Sequence, residues 1–331
     1  MTKPNSRVKT THSEINEIDL KLIANVKWIA SMPRIKVFVS RSSCIFQNLA
    51  FEEWLFRHHD LNCFAEAILL WSNTPSVVIG RHQNPWMEAD VEFVRERGIN
   101  LVRRYSGGGT VYHDLGNLNV SILTSQKHHD RPKNLLNIAG WLNRHFGVQI
   151  EANKRDDLLL QPGDRKVSGT AARIARDRAY HHLTLLVNPD LPTLRRSIRS
   201  PFHTEIKTNA TRSTRAKAVG QLVDENPNAR VEQLIPVLIS GFNELAEEVE
   251  VVEIRKIEGE VEEEAKTVIR RTVEELKSDE WTFGKSPRFQ ISLPNTNGDL
   301  RVVDVENGVV VASENSLYKM GSKFYSINRL P

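Results

Sequence analysis

An α+β fold in two units is predicted, on three observations. The apolar segments are strand-sized and alternate with stretches of helical spacing. An acidic run, Glu244 to Glu280, separates this mixture from a tail that reads as strands and tight turns. The length of 331 residues suits two domains and a large buried core. The boundary is expected near residue 248.

The elements follow in order. Ile35–Val39 reads as a strand, and Ile45–His58 carries Ile45, Leu49, Phe51, Trp54 and Leu55 at mostly helical spacing. Strands at Ala67–Trp71 and Val77–Gly80 flank the turn signal Asn73-Thr74-Pro75. Asn84-Pro85 starts a helix that Gly98 closes. Strands at Ile99–Arg104, Thr110–His113 and Leu118–Thr124 surround three consecutive glycines. A helix over Lys133–Phe146 stops at Gly147. Leu158–Leu160 and Lys166–Ser168 form a hairpin about Gln161–Asp164, and strand His182–Asn188 leads into basic helical material. Acidic helices are expected over Val231–Lys277, with Pro236 breaking the first. Arg288–Leu293, Leu300–Val305 and Val309–Ala312 form a small antiparallel sheet turning at Asn307-Gly308.

Composition narrows the function classes. No stretch approaches the roughly 18 to 20 apolar residues of a membrane span, so a soluble protein is expected. Cys44 and Cys63 are the two cysteines and form no C-x-x-C pair, which disfavours a zinc site or disulfide framework. The net charge of +4 is unevenly spread. Arg165–Lys217 holds twelve Lys/Arg against three Asp/Glu, and Glu244–Glu280 fourteen Asp/Glu against six Lys/Arg. Such runs are usually solvated faces; the sharper reading is a basic half that attracts an anionic ligand or an acidic protein. Lys3, Arg7 and Lys9 among Ser and Thr loosely suit a transit peptide, which Glu14, Glu17 and Asp19 interrupt.

The richest stretch is R-R-Y-S-G-G-G-T-V-Y-H-D-L-G-N, Arg103 to Asn117. Three glycines between strands weaken a sheet, so something else should require them: a ligand that approaches the backbone closely or, taken alone, equally a flexible turn. Arg103 and Arg104 alternate across a strand, so only one shares the glycines' side. Neither a Walker loop nor G-x-G-x-x-G is present. The second stretch, R-K-V-S-G-T-A-A-R-I from Arg165, puts Lys166 on an apolar strand before small residues. A lysine aimed into a cleft is a compact charge for a carboxylate or phosphate, although a lone lysine usually snorkels. Ser168 lacks the G-x-S-x-G elbow of a nucleophile. The pairs His58-His59, His128-His129 and His181-His182 do not present two ligands on one strand face, and His113 is read as a structural histidine.

With these residues in view, Arg103–Asn117 resembles the signature of the lipoate–protein ligase A and lipoyltransferase family. Lys166–Ala171 is similar to that family's lysine motif, as are Asn48-Leu49-Ala50, Ser76–Trp86 and Trp281–Phe289 to further motifs, in preserved order. A-Y-H-H-L-T-L-L at Ala179–Leu186 and Asn209-Ala210-Thr211 look most like the mitochondrial members.

The resemblance implies a class II synthetase or biotin–protein-ligase-like catalytic domain, a mixed sheet flanked by helices, over 34–248. It implies a small C-terminal domain over 249–331, with 1–33 as an extension and targeting segment. Arg104, Ser106, Gly107, Gly108 and Gly109 are expected to line the lipoyl slot. Tyr112, Arg155, Lys166, Thr184 and the loop Asn209, Ala210, Thr211 are expected to contact lipoyl-AMP, with Lys166 bridging acyl carbonyl and phosphate as the catalytic cation. No permanent cofactor or metal is expected; lipoate, ATP and Mg enter only for a full ligase. The expected acceptors are lipoyl domains of 2-oxoacid dehydrogenase E2 subunits, with the glycine-cleavage H protein as a second donor, a monomeric state and a mitochondrial location. Cysteine acyl-enzyme chemistry is disfavoured because Cys44 and Cys63 lie outside every matched motif. Mitochondrial members continue well past the G-S-K-F seen at Gly321–Phe324, whereas this chain ends at Pro331, so transfer is expected ahead of ATP-driven activation. The rival is a complete ligase; a nucleic-acid binder using the basic stretch is remote, lacking any recognised module.

Overall fold

A computed structural model describes residues 32–257, 259 and 262–326; the targeting segment expected at the N-terminus lies outside them, apart from Met32 and Pro33. The centre is a six-stranded mixed sheet. Its strands are β1 (Arg34–Ser40), β2 (Glu66–Trp71), β6 (Asn117–Ser125), β10 (Thr170–Ala175), β11 (Arg178–Leu186) and β13 (Glu248–Ile254), in the order β10-β11-β6-β2-β1-β13. The two pairings of β1 are parallel and the rest antiparallel.

Alternation along β1 explains the layers. Ile35, Val37 and Val39 face helices α4 (Arg131–Phe146) and α6 (Val231–Asn243), whereas Phe38 faces α1 (Ile45–His58) and α7 (Glu263–Lys277). Helix α4 is capped as its sequence dictates: Asp130 accepts from the Lys133 N–H, and Gly147 closes it at φ +65°.

A three-stranded sheet, β4-β3-β5, carries the glycine run. It comprises β3 (Ser76–Ile79), β4 (Asn100–Arg103) and β5 (Val111–His113). The helix expected after Asn84 is two short ones, α2 (Pro85–Glu88) and α3 (Val91–Glu96), each with its own cap, Asn84 and Asp90. The expected hairpin is β8 (Leu158–Leu160) with β9 (Arg165–Lys166), joined on its other side by β7 (Ile150–Ala152). The basic helix is α5 (Leu191–Ser197).

Three expectations need correction. Helix α6 runs through Pro236 instead of breaking there; its apolar stripe packs on α4, and that burial outweighs one lost hydrogen bond. The acidic stretch is not all helix, because E-V-E-V-V-E-I alternates branched and charged residues and completes the large sheet as β13. The expected boundary at 248/249 therefore falls at the first residue of a strand of that sheet, which continues to Ile254. The small sheet in turn takes one strand from mid-chain. Its order is β12-β14-β15-β16, from β12 (Ile206–Thr208), β14 (Phe289–Pro294), β15 (Leu300–Glu306) and β16 (Val309–Ser313). Its expected turn is there, with Asn307 and Gly308 both at positive φ. Among the described residues no helix is long and apolar enough to cross a membrane.

Candidate active site

The loop between β4 and β5 is built from Arg104 outward. Its Nε donates to Ser106 Oγ at 2.8 Å, Nη1 to the Val78 carbonyl at 3.0 Å, and Nη2 to the carbonyls of Gly107 and Gly109 at 2.5 and 2.7 Å. Burial lowers its pKa to about 10, so it remains charged at neutral pH. Arg104 thus ties down the carbonyls of the loop. Arg103 points the other way, as strand alternation requires, and donates to the carbonyls of Gly80, Arg81, Gln83, Trp281 and Thr282. Two glycines here are sterically required: a Cβ on Gly80 would stand 2.2 Å from the Gly108 carbonyl oxygen, and Gly108 itself sits at φ +82°.

Two adjoining cavities flank this loop. The larger holds about 600 Å³ and is lined by Tyr112, Lys166, Thr184 and residues 213–219, among others. Its wall carries Arg165, Lys166, Arg195, Arg199, Arg215 and Lys217 against the single carboxylate of Glu88. Arg165 pairs with Asp224 and Glu225, and Lys166 Nζ lies 2.5 Å from Asp157 Oδ1. Among the described residues no carboxylate pairs with Arg195, Arg199, Arg215 or Lys217. Four uncompensated cations around one hollow make a site for a polyanion.

The smaller cavity is a narrow slot of about 30 Å³. Leu49, Trp71, Val78 and Ala171 form its apolar wall, and it shares Val111, Gly169 and Thr184 with the larger cavity. The slot and the basic hollow therefore adjoin at Thr184, whose Oγ1 accepts from the Gly169 N–H at 2.8 Å. Beside it runs a chain of hydrogen bonds, Glu52 to His182 at 2.9 Å and His182 to Ser106 at 3.0 Å. Histidines 181 and 182 face opposite sides of β11: His181 is ring-packed against His129 instead.

Most expected site residues converge here, in different roles. Tyr112, Lys166 and Thr184 line the hollow, and Arg104 and Thr184 the slot. Ser106 and the three glycines form the loop alongside without lining either cavity. Arg155 stands exposed in the turn after β7 and lines neither. Asn209, Ala210 and Thr211 also line neither; Thr211 donates to the His82 carbonyl, and the chain enters the hollow two residues later, at Ser213. Cys44 is half-buried at the start of α1 and Cys63 is exposed, both outside the two linings.

Sequence reasoning passed over Asp157, although it follows Arg155 closely and holds Lys166. It also passed over Gln83, which is fully buried, accepts from the Gly80 N–H and the Thr110 hydroxyl, and donates to Ser213. The signal for Gln83 lay inside the matched stretch Ser76–Trp86.

Comparison with known proteins decides the family. The lipoyl protein ligase A/B catalytic domain matches residues 44–243. The chain belongs to the lipoyl protein ligase A/B family. It is 37% identical over 284 residues to the mitochondrial lipoyl amidotransferase of Homo sapiens, covering 82% of this chain and 73% of that one. It is 37% identical over 263 residues to lipoate-protein ligase A of Bdellovibrio bacteriovorus, covering 78% and 74%. Among solved structures, Plasmodium falciparum LipL1 in complex with lipoate superposes with a TM-score of 0.64 at 27% identity, over 83% of this chain and 82% of that one. The fold is thus the α+β, class II synthetase-like fold of these ligases, and the chain is an acyltransferase of protein lipoylation.

Proposed function

We propose that the chain takes a lipoyl or octanoyl group from an acyl-adenylate and passes it directly to a lysine on a lipoyl domain of a 2-oxoacid dehydrogenase E2 subunit. One observation carries this reading: an apolar slot adjoins, at Thr184, a basic hollow with Lys166 on its wall. The adenylate phosphate suits the hollow and the acyl tail the slot, which the tail enters by parting the small residues of its walls.

The chemistry then follows from the charges. The acceptor's neutral amine attacks the acyl carbonyl, forming a C–N bond and losing one proton, while the C–O bond to phosphate breaks and AMP departs. Negative charge develops on the carbonyl oxygen and then on the leaving phosphate. A fixed ammonium at Lys166, oriented by Asp157, stabilises both where water is sparse. The placement of both cysteines away from the cavities supports direct transfer over a thioester route. The amidotransferase name of the human relative supports transfer ahead of ATP-driven activation, and solved relatives bound to lipoate or to ATP support lipoate and ATP binding as the second reading. That relative's mitochondrial name also supports a mitochondrial location.

The test is intact-mass analysis of a lipoyl domain incubated with lipoyl-AMP, with lipoate and ATP, or with lipoylated H protein. Modification from lipoyl-AMP is expected, and Lys166→Ala is expected to slow it about 10²- to 10³-fold with its melting temperature kept. Near-normal turnover in the variant removes Lys166 from the role. Modification from lipoate and ATP at the same rate makes the chain a complete ligase.

A further inference from the structure

The inner wall of the slot is not wholly apolar: it bears donors for which the described residues offer no hydrogen bond, one of them a buried indole N–H. Trp71 and His113 both line it, at 2% and 4% exposure. Trp71 Nε1 has no partner, and an indole N–H only donates. The state of His113 is set by a relay of amides. Asn48 Nδ2 donates to the Ser42 carbonyl at 2.8 Å, which orients that amide, and also to Asn73 Oδ1 at 2.9 Å. Asn73 is thereby oriented with its Nδ2 toward His113 Nδ1, 3.1 Å away. His113 Nδ1 must accept. The ring is neutral, its pKa pushed down to about 3 chiefly by burial, so its one proton sits on Nε2. Among the described residues no hydrogen bond forms to Nε2, and the ring lines the slot.

Asn119, the neighbour of Trp71 across the sheet, does not accept from the indole and is engaged elsewhere. Its Oδ1 accepts from Asn117 and its Nδ2 donates to the Trp71 carbonyl. From Thr184, where the two cavities adjoin, through Asn119 to Trp71, the slot's lining crosses two strand spacings, about 10 Å. That is the far end of a medium-length acyl chain.

We propose that His113, held as an Nε2–H donor by Asn73, is the specificity-determining residue of the slot: it favours acyl tails whose far end bears a hydrogen-bond-accepting sulfur over plain hydrocarbon tails. This rests on the reading of the slot as the tail site. A sulfur accepts only weakly, but a buried donor left without any acceptor is costly, and the difference between tails is what selects. Lipoyl is therefore preferred to octanoyl.

The test is the ratio of kcat/KM for lipoyl-AMP to that for octanoyl-AMP, with one lipoyl domain as acceptor. The wild-type ratio is expected to exceed one by about fivefold to tenfold. His113→Phe removes the donor, and the ratio should fall toward one. Asn73→Asp keeps the imidazole but reverses the relay, because a carboxylate accepts from Nδ1–H and leaves Nε2 as an acceptor. The ratio should fall there too, and the histidine 15N shifts should report the exchanged tautomer; if His113→Phe does not fold, this variant decides. An equal loss for both acyl groups in the two variants, or a ratio that neither variant moves, overturns the inference. Ala171→Leu tests the premise separately: it fills the slot and should suppress both acyl groups, and full activity with both would overturn the slot reading itself.

Discussion

Arg104 shows how a charged side chain becomes scaffold at the scale of single residues. Three hydrogen bonds to the glycine loop and one to the Val78 carbonyl of β3 occupy its guanidinium, so it shapes the walls of the site instead of presenting its charge to a ligand. Glycine spacing made the loop legible in sequence, and strand alternation made the split between Arg103 and Arg104 legible. The pairing of Lys166 with Asp157 was not, because a turn of unknown geometry separates their strands. Buried histidines carry a prediction at this scale. His113 and His181 are held near pKa 3 against 6.5 unfolded, chiefly by burial. Between about pH 6.5 and 3 the unfolded chain binds the extra protons, so stability falls as the pH falls, by about 1.4 kcal/mol per unit for each histidine. Both ring nitrogens of His181 lack partners, so His181→Phe forfeits no hydrogen bond. Its stability at pH 7 should hold, and its acid slope should shrink by the share of one histidine. Urea unfolding across pH 4 to 7 measures both; an unchanged slope contradicts the neutral-histidine assignment.

Among elements, contacts between helices and strands settle what propensity leaves open. Helices α4 and α6 meet with Gly241 directly under the Trp141 ring, where a Cβ would fall 2.1 Å from an indole carbon. Gly241→Ala improves helix propensity and yet should destabilise by about 1–3 kcal/mol, because the indole must move within a packed core. Transfer by the folded fraction should match wild type, since this contact lies on the sheet face away from the slot. A raised melting temperature would mean that propensity outweighs packing there. Strand β13 teaches the same lesson. Its alternation was readable, but charge density pulled the reading toward helix, and only a free edge beside β1 made a strand of it.

For the whole molecule, the charge asymmetry seen in the sequence has a defined place. Arg195, Arg199, Arg215 and Lys217 surround the hollow, whereas Arg196, adjacent in sequence, turns away to pair with Asp90 at 2.8 Å. The basic rim should speed encounter with an acidic acceptor domain, and salt should screen it over about 8 Å at physiological ionic strength. Transfer kcat/KM to one lipoyl domain is expected to fall across an ionic-strength series. Arg195→Glu with Arg199→Glu should lower it at low salt and flatten the series, whereas Arg196→Glu should chiefly cost stability by leaving Asp90 beside a like charge. A wild-type rate indifferent to salt would return the basic stretch to an ordinary solvated face.

What the sequence determined by itself is local or periodic. Helix α1 runs over Ile45–His58, where its apolar spacing put it, and the turn at Asn307-Gly308 and the glycine loop were legible too. Each depends on neighbours a few residues away, or on motifs long enough to be specific. Tertiary structure alone decided that β13 belongs to the large sheet, that the chain beyond Ser213 walls the hollow while Asn209–Thr211 stays outside, and that Asn48 and Asn73 set the proton on His113. Those outcomes depend on groups 25 to more than 200 residues apart in sequence. No local pattern encodes such distances; only packing one element on another brings the groups within reach of a hydrogen bond.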